Sequence, residues 1–315
     1  MNLYLIFESI AMIFLMISIG ALVSRTIPFN NDTQGVFIIL IVNVAMPCII
    51  LASIFTVEID YRLINQMGIV FLSSIAIGIV GILIGFLSAH YLVKEKRNAK
   101  EFAIMSGLGN TAFIGIPVCA MIFGPEGALL AAVFDAGVDV IIWSVGAIML
   151  QYNERFSLRS FKPMINPPMI AIVLGLCMTL AEVKPPTLFI DLTVNLSNLA
   201  APMAMFYIGI LLMEMFRHRV KSDGMIPEKV WLPISIKLLI LPIFVAISLS
   251  IFNINPVTSQ VIVLQTMMPT LTLASIVFAR FSANVELGTK TTVISTIVSL
   301  GSIPLVVFIV KIILN

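Results

Sequence analysis

Two short stretches of this chain place helix-breaking residues and polar side chains inside apolar sequence. The first is SGLGNTAFIGIP, from Ser106 to Pro117, and the second is QTMMPTLT, from Gln265 to Thr272. A proline inside a helix removes one backbone hydrogen bond and clashes with the carbonyl one turn back, while glycines loosen the backbone. Both stretches therefore predict interrupted helices, whose freed backbone groups must face protein or a water-filled cavity.

The chemistry expected of two such interruptions is the binding of an anion. If they cross, the half-helices that begin near Pro117 and Pro269 direct the partial positive charges of their N-termini at one spot, which suits a carboxylate. The alternative is a pair of ordinary proline kinks with small-residue packing, which are common in membrane helices. The candidate substrate-binding residues are Asn110, Thr111, Pro117, Gln265, Pro269 and Thr270, and the candidate crossover backbone is Gly107, Gly109 and Gly115.

Three ionisable residues inside apolar sequence are candidates for ion coupling. Asp135 and Asp139 are four residues apart and share one helix face, at about 12 and 18 Å from a helix start near Gly127. Because two buried carboxylates side by side are costly to charge, the pair is a candidate proton carrier. The alternative is a polar patch that bonds to neighbouring helices or lines an aqueous cavity. Lys237 is a candidate for charge pairing or substrate attraction, although its amine could instead reach the interface.

The sequence contains no residue grouping typical of an enzyme or a metal centre. Cys48, Cys119 and Cys177 lie in apolar segments without metal-ligand spacing, and we interpret them as small packing residues. There is no Walker loop, HExxH motif, nucleotide fingerprint or Ser/His/Asp grouping. We therefore predict no enzymatic activity, metal, cofactor or nucleic-acid partner.

The elements that must position these residues are membrane-spanning helices. The chain has 315 residues, of which 60% are hydrophobic and only 11% charged, whereas soluble domains carry about a quarter charged residues. The unbroken apolar runs lack the alternation of a membrane barrel. Hydropathy predicts ten helical segments of bilayer-spanning length, the sixth of them short: 3–23, 34–55, 66–92, 102–123, 127–150, 166–181, 188–213, 230–252, 257–279 and 288–313.

The distribution of basic residues predicts the orientation of these segments. Lysine and arginine are retained on the cytoplasmic side of a membrane. They concentrate in the loops after the odd-numbered segments, while the opposite side holds only Arg62, Lys184 and Lys311. This asymmetry places both termini outside the cytoplasm. The loops with the basic excess contain Arg25; Lys94, Lys96, Arg97 and Lys100; Arg155, Arg159 and Lys162; Arg217, Arg219, Lys221 and Lys229; and Arg280 and Lys290.

A short motif recurs in the two halves of the chain. N-x-A-x-P occurs from Asn43 to Pro47 in the second segment and from Asn198 to Pro202 in the seventh, and the fourth and ninth segments both carry an interruption. Each half contains five segments, an odd number, so the second half enters the membrane in the opposite sense. We predict an inverted repeat of five plus five helices, with halves 1–150 and 151–315, as in many secondary transporters.

These residues resemble a known family. GNTAFIGIP, the following FGPEGALLAAVFDAG and the C-terminal MMPTLTLASIVFARFSANVELGTKTTVISTIVSLGSIPL look like the auxin efflux carriers, which include plant PIN carriers and bacterial permeases for malate and malonate. The resemblance spans the chain and implies an elevator-like carrier. Its scaffold would be helices 1, 2, 6 and 7, and its transport domain would be helices 3–5 and 8–10. The resemblance also implies a homodimer formed through the scaffold and a location in the bacterial inner (plasma) membrane.

The resemblance also implies where substrate is held. Carried over by position, Asn110 meets a substrate carboxylate beside Pro117, and Pro269 marks the partner crossover. The chain differs from the plant carriers in lacking their long central loop and in having no Asn beside Pro269. That difference argues against an aromatic, auxin-like substrate and leaves Thr270 or Gln265 as donors.

The sequence therefore predicts a secondary active transporter of a small organic anion, a dicarboxylate such as malate or malonate, coupled to protons. One alternative is a sodium-coupled carrier in which carbonyls of the interrupted helices hold the ion. Another is a membrane sensor that binds a metabolite without moving it, against which the lack of a cytoplasmic domain argues.

Overall fold

The computed structural model describes residues 3–26, 31–92, 96–151, 162–221, 228–252, 254–272, 274–281 and 283–314. In this part of the chain every regular element is helical, which confirms the predicted all-α class. The α-helices are α1 (Leu3–Val23), α2 (Asn31–Leu40), α3 (Met46–Thr56), α4 (Tyr61–Leu92), α5 (Lys96–Gly107), α6 (Ile116–Ile141), α7 (Ala147–Leu150), α8 (Pro167–Leu180), α9 (Thr187–Ser197), α10 (Ala200–Lys221), α11 (Trp231–Ser235), α12 (Leu241–Ser250), α13 (Pro256–Thr266), α14 (Ala274–Arg280) and α15 (Val285–Leu314).

Six helical runs among the described residues are long and apolar enough to cross a membrane. They are Gly35–Thr56, Tyr61–Leu92, Thr111–Leu150, Thr187–Glu214, Trp231–Ser250 and Val285–Val307. Ala11–Val23 and Pro167–Leu180 are shorter apolar helices. This finding supports an integral membrane protein. The basic residues Lys94, Arg155 and Arg159, which contribute to the predicted orientation, lie outside the described part of the chain.

Prolines explain most of the helix irregularities. Wide π-turns occupy Ile41–Ala45, Thr111–Gly115 and Ile236–Ile240, and each ends two residues before a proline, namely Pro47, Pro117 and Pro242. A proline has no N–H to donate and crowds the carbonyl four residues back, so the turn before it widens. A fourth π-turn, Ile142–Gly146, has no proline at that position.

The predicted fourth and fifth segments meet at a sharp bend. The run Thr111–Leu150 changes direction at Gly124, whose φ is 67° and whose ψ is −157°, and Pro125 follows it. An L side chain rarely adopts this φ, whereas glycine does so without steric cost. The pair Gly124–Pro125 therefore divides one long helical run into two segments.

The chain divides into two compact units, and the first consists of Met1–Met67, Ala112–Val133 and Ile165–Gly224. Within it α1 packs against α10 at very short range. A Cβ atom at Gly20 would lie 2.4 Å from the carbonyl oxygen of Phe206, and one at Gly209 would lie 2.0 Å from that of Ile17. These two glycines therefore allow direct backbone contact between the helices. Elsewhere in the unit, α3 packs against α8 and α9.

The second unit consists of Gly68–Thr111, Phe134–Met164 and Met225–Asn315. Glycines of α4 receive α5 at close range, because a Cβ at Gly81 would lie 2.7 Å from the Cα of Gly107. Midway along α5, Phe102 packs in an apolar cluster with α11 and α15 that includes Val230, Ile234 and Leu287. These contacts position α5, which leads into the interruption of the fourth segment.

Candidate functional site

The interruption of the fourth segment lies within the predicted stretch, near its N-terminal end. Helix α5 ends at Gly107, residues 108–110 are not helical, and the next helical turn begins at Thr111. The half-helix was expected to begin near Pro117, but that proline lies in the first turn of α6. Its missing N–H is accommodated by the π-turn Thr111–Gly115, so the proline widens the helix rather than ending it.

The interruption of the ninth segment contains Pro269. Helix α13 ends at Thr266 and α14 begins at Ala274, so the half-helix starts a few residues after the expected position at Pro269. Because proline bonds no preceding carbonyl, the chain there can leave the helical path. Residues 256–272 are buried except for a few positions near the start of α13 and at Thr272.

The two interruptions contact each other directly. Gly109 and Thr270 form an isolated antiparallel bridge, and the backbone N–H of Asn110 donates to the carbonyl of Pro269 at 2.7 Å. The side-chain amide of Asn110 also donates to the hydroxyl of Thr272. Backbone groups that have left their own helices are thus bonded to each other, as burial in a membrane protein requires. We call this junction of residues 108–111 and 268–272 the crossover.

Lys237 lies against the crossover. Its side chain is only 2% exposed, and a Cβ atom built on Gly109 would lie 2.8 Å from its Cε and 2.9 Å from its Nζ. The residue belongs to the π-turn Ile236–Ile240 before Pro242. A side chain at Gly109 would therefore displace the end of the Lys237 side chain. At Gly107 the obstacle is backbone, since a Cβ there would lie 2.6 Å from the backbone N of Ile82, and this position requires glycine.

Asp135 is connected to the crossover through Thr111. The Thr111 hydroxyl, in a side chain that is 1% exposed, donates a hydrogen bond to the Asp135 carboxylate. Asp139 lies one turn further along α6, and both aspartates are half-buried. Asp135, predicted from sequence, is thus bonded to the residue next to Asn110.

Thr270 is already engaged by helix α15. Its N–H donates to the Ser295 hydroxyl at 3.1 Å, and the two hydroxyl oxygens are 2.8 Å apart. Ser295 donates its own proton to the carbonyl of Thr292 at 2.7 Å, so the Thr270 hydroxyl must donate to Ser295. Thr270 can then only accept a further hydrogen bond. Gln265, the other expected donor, is fully buried at the end of α13.

Sequence reasoning missed Ser295 and Thr292 as neighbours of the crossover. Thr292 donates to the carbonyl of Leu271 at 2.8 Å. The available signal was the spacing of hydroxyl residues three and four apart within the apolar sequence of α15. Buried serines and threonines usually bond to their own helix, however, so that spacing alone does not identify a partner.

The remaining candidates belong to the first unit. Gly115 and Pro117 lie at the junction of the π-turn and α6. Each N-x-A-x-P motif also coincides with a helix irregularity. The first occupies the π-turn Ile41–Ala45 and the start of α3, and the second spans residues 198–202, where α9 has ended and α10 begins. Asn43 and Asn198 are exposed, and Pro47 and Pro202 are half-buried.

No cluster of three or more His, Cys, Asp or Glu side chains suited to a metal ion occurs among the residues that the structure describes. The polar groups at the crossover are instead amides, hydroxyls, one ammonium and one carboxylate. Backbone and side-chain donors of this kind can bind a small polar solute.

Comparison with known proteins agrees with a transport role. The sequence matches the family model described as membrane transport protein over residues 5–307. It is also similar to an uncharacterized transporter from Methanothermobacter thermautotrophicus, with 24% identity over 300 residues that cover 95% of this chain and 96% of the relative. Both are transporters rather than enzymes, which agrees with the prediction from the sequence. The chain belongs to the membrane transport protein family, in which the auxin efflux carriers are grouped.

Proposed function

We propose that this protein is a secondary active transporter of a small organic anion, a dicarboxylate such as malate or malonate, and that the anion binds at the crossover. The observation that carries the proposal is the antiparallel bridge between the two interrupted segments at Gly109 and Thr270, where the Asn110 N–H donates to the Pro269 carbonyl. Paired discontinuous helices of this kind hold substrate near the membrane midplane in many secondary transporters.

The charge at the crossover favours an anion. Lys237 brings a buried ammonium group against Gly109, and the helical run that begins at Thr111 adds the partial positive charge of its N-terminus. A buried cation is costly without a compensating negative group. A bound carboxylate would compensate it, which is why we assign Lys237 to substrate attraction.

The polar groups around Lys237 would orient the substrate. We assign a carboxylate contact to the Asn110 amide, because this residue is bonded both to Pro269 and to Thr272 and is thereby held in place. Thr111 and Gln265 would complete the pocket on the two sides of the crossover. Pro117 and Thr270 would act by shaping the backbone, since the Thr270 hydroxyl already donates to Ser295.

Asp135 and Asp139 are proposed to couple transport to protons. The Thr111 hydroxyl bonds to Asp135, so a change in the protonation of this carboxylate alters a hydrogen bond beside the substrate position. Protonation and anion binding would then influence each other through Thr111, as linkage requires. Asp139, four residues away, would affect the same equilibrium through repulsion.

For the architecture we propose ten transmembrane helices in two inverted halves, 1–150 and 151–315, with both termini outside the cytoplasm of the plasma membrane. The bend at Gly124 supports counting Thr111–Leu150 as parts of two spans. The irregularities at both N-x-A-x-P motifs support the internal repeat. A homodimer formed through the scaffold is part of the same proposal.

An elevator mechanism is proposed on the same basis. The first unit gathers α1–α3 and α8–α10, which correspond to predicted helices 1, 2, 6 and 7, and the second gathers most of the helices assigned to a transport domain. This grouping supports a scaffold and a moving domain. Residues 112–133 differ from the expected division, because they belong to the first unit.

The proposal is tested by uptake of labelled malate and malonate into proteoliposomes. An inward proton gradient and an inward sodium gradient at fixed pH are imposed separately on the same preparation. We expect uptake of at least one acid to rise with the proton gradient alone. Stimulation by the sodium gradient alone would mean that sodium, and not the proton, is the coupling ion. Binding of the acids without uptake would contradict a transport function and favour a membrane sensor.

A further inference from the structure

Helix α15 carries a row of buried hydroxyl side chains that continues past the crossover. In a membrane helix such a hydroxyl ordinarily bonds to a carbonyl three or four residues back in its own helix. Thr291 and Thr296 follow this pattern at 2.7 Å, and Ser299 does so as well. Two residues of the row also bond to the ninth-segment interruption. Thr292 donates to it in place of its own helix, and Ser295 accepts from it while still donating to the carbonyl of Thr292.

Ser295 uses the full bonding capacity of its hydroxyl. It accepts from the Thr270 N–H and from the Thr270 hydroxyl, and it donates to the carbonyl of Thr292. All three residues are 5% exposed or less. Loss of this one oxygen would therefore leave a buried N–H without its acceptor, and water cannot readily replace it.

Thr292 satisfies the next backbone group along the interruption. Its hydroxyl donates to the carbonyl of Leu271 at 2.8 Å. Helix α15 thus bonds the N–H of residue 270 and the C=O of residue 271, while the fourth-segment side bonds the carbonyl of Pro269. The backbone from Pro269 to Leu271 is held from two directions, although it lies between helices α13 and α14.

We infer that Ser295 and Thr292 are positioning residues that hold the backbone of residues 269–271 in the geometry that binds the transported anion. This inference rests on the proposed function for its substrate. The hydrogen bonds of Ser295 and Thr292 to the interruption do not depend on the identity of the substrate, so they can be tested separately. Neither residue needs to touch the anion, since each acts through the backbone that it fixes.

The test compares variants that differ by one hydroxyl. Ser295→Ala and Thr292→Val each remove the bond to the interruption, Thr292→Ser keeps the hydroxyl, and Thr296→Val removes a buried hydroxyl of the same helix that bonds only to its own backbone. Amide hydrogen exchange of the segment 267–274 is measured in folded protein. KM and maximal rate of uptake of labelled malate and malonate are measured in proteoliposomes.

We expect exchange at the Thr270 amide to be about tenfold faster in Ser295→Ala. KM for the transported acid should rise about tenfold in Ser295→Ala and Thr292→Val, whereas Thr292→Ser and Thr296→Val should resemble the unmodified protein. Unchanged exchange in Ser295→Ala would overturn the inference, and so would faster exchange with an unchanged KM. If the unmodified protein transports neither acid, the proposed substrate is wrong, and the exchange result alone decides whether the two residues hold the interruption.

Discussion

The two units bury polar side chains in different ways, although both are built from apolar helices. Among the described residues of the first unit, the buried polar side chains are Ser24, Ser53, Gln66 and Thr193. The three hydroxyls bond to carbonyls of their own chain segment three or four residues away. These three buried hydroxyls are therefore satisfied locally.

In the second unit, buried polar groups bond across helices. The Glu101 carboxylate accepts from the backbone N–H of Asn284 at 2.9 Å, Thr111 bonds to Asp135, and Ser295 bonds to Thr270. Lys237 adds a buried ammonium group. The comparison shows that buried hydroxyls bond between helices at the ninth-segment interruption, where the backbone presents groups that its own helix does not satisfy.

Among the substitutions that compare the two units, Lys237→Met is expected to have the largest effect. The substitution keeps most of the side-chain volume and removes the charge beside Gly109, so uptake of the anion should fall by about two orders of magnitude, equivalent to about 2.7 kcal/mol. Initial rates in proteoliposomes measure the effect. Lys229→Met, at an exposed lysine, is the matched control and should leave uptake unchanged. Uptake near the normal rate in Lys237→Met would show that the Lys237 ammonium group does not attract the substrate.

Asp135→Asn is expected to abolish stimulation of uptake by the proton gradient. The amide of asparagine can still bond to Thr111, but it does not gain or lose a proton over the pH range of the uptake experiment. We expect the ratio of uptake with and without the gradient to approach one, with a smaller change in Asp139→Asn. Asp191→Asn, at an exposed position in α9 of the first unit, serves as control. A normal ratio in both α6 variants would contradict proton coupling through these residues.

Substitution of a packing glycine in the first unit should act on stability alone. A Cβ at Gly209 meets the carbonyl oxygen of Ile17 at 2.0 Å, so Gly209→Ala should destabilise the protein by about 1–3 kcal/mol. Gly35→Ala, where no atom lies within 4 Å of the added Cβ, should not. Thermal unfolding measures the difference. Folded Gly209→Ala protein should transport with the same KM as the unmodified protein. A raised KM without loss of stability would contradict the expectation that this glycine affects stability alone.

The smallest effect is expected for Thr193→Val. The Thr193 hydroxyl bonds only to the carbonyl of Ile190 in its own helix, and valine has nearly the same shape. We expect a change in unfolding free energy within about 1 kcal/mol and no change in uptake. Thr292→Val, which removes an equally buried hydroxyl that bonds across helices, provides the contrast. Equal effects of the two substitutions on KM would mean that the two classes of hydroxyl do not differ in function.

The all-helical class and the two interruptions could be predicted because their signals are local. Apolar length predicts a membrane helix, and Pro269 lies within the interruption that it indicated. The other interruption lies within its predicted stretch, but its half-helix begins at Thr111 and not near Pro117, because Pro117 only widens the helix. Ile82 and Lys237 approach Gly107 and Gly109 closely, so the space beside these glycines is occupied. A single sequence does not reveal which distant residue needs that space.

The partners of the polar residues were less accessible to prediction. Asp135 and Lys237 were identified because a charge in apolar sequence is costly and therefore informative. The direction of Lys237 depends on the π-turn before Pro242, and the bonds of Ser295 depend on the geometry of Thr270. Both are tertiary properties. Hydroxyl residues are common in membrane helices, so Ser295 carried little signal of its own.

Anion binding at the crossover is tested first by the effect of Asn110→Ala on gradient-driven uptake of labelled malate and malonate. Asn110 bonds to both Pro269 and Thr272 at the crossover, whereas Asn195 is an exposed asparagine of α9 and supplies the matched control, Asn195→Ala. If the crossover binds the anion, Asn110→Ala abolishes uptake while the protein remains folded and Asn195→Ala transports normally. Unchanged KM and rate in folded Asn110→Ala would contradict the account.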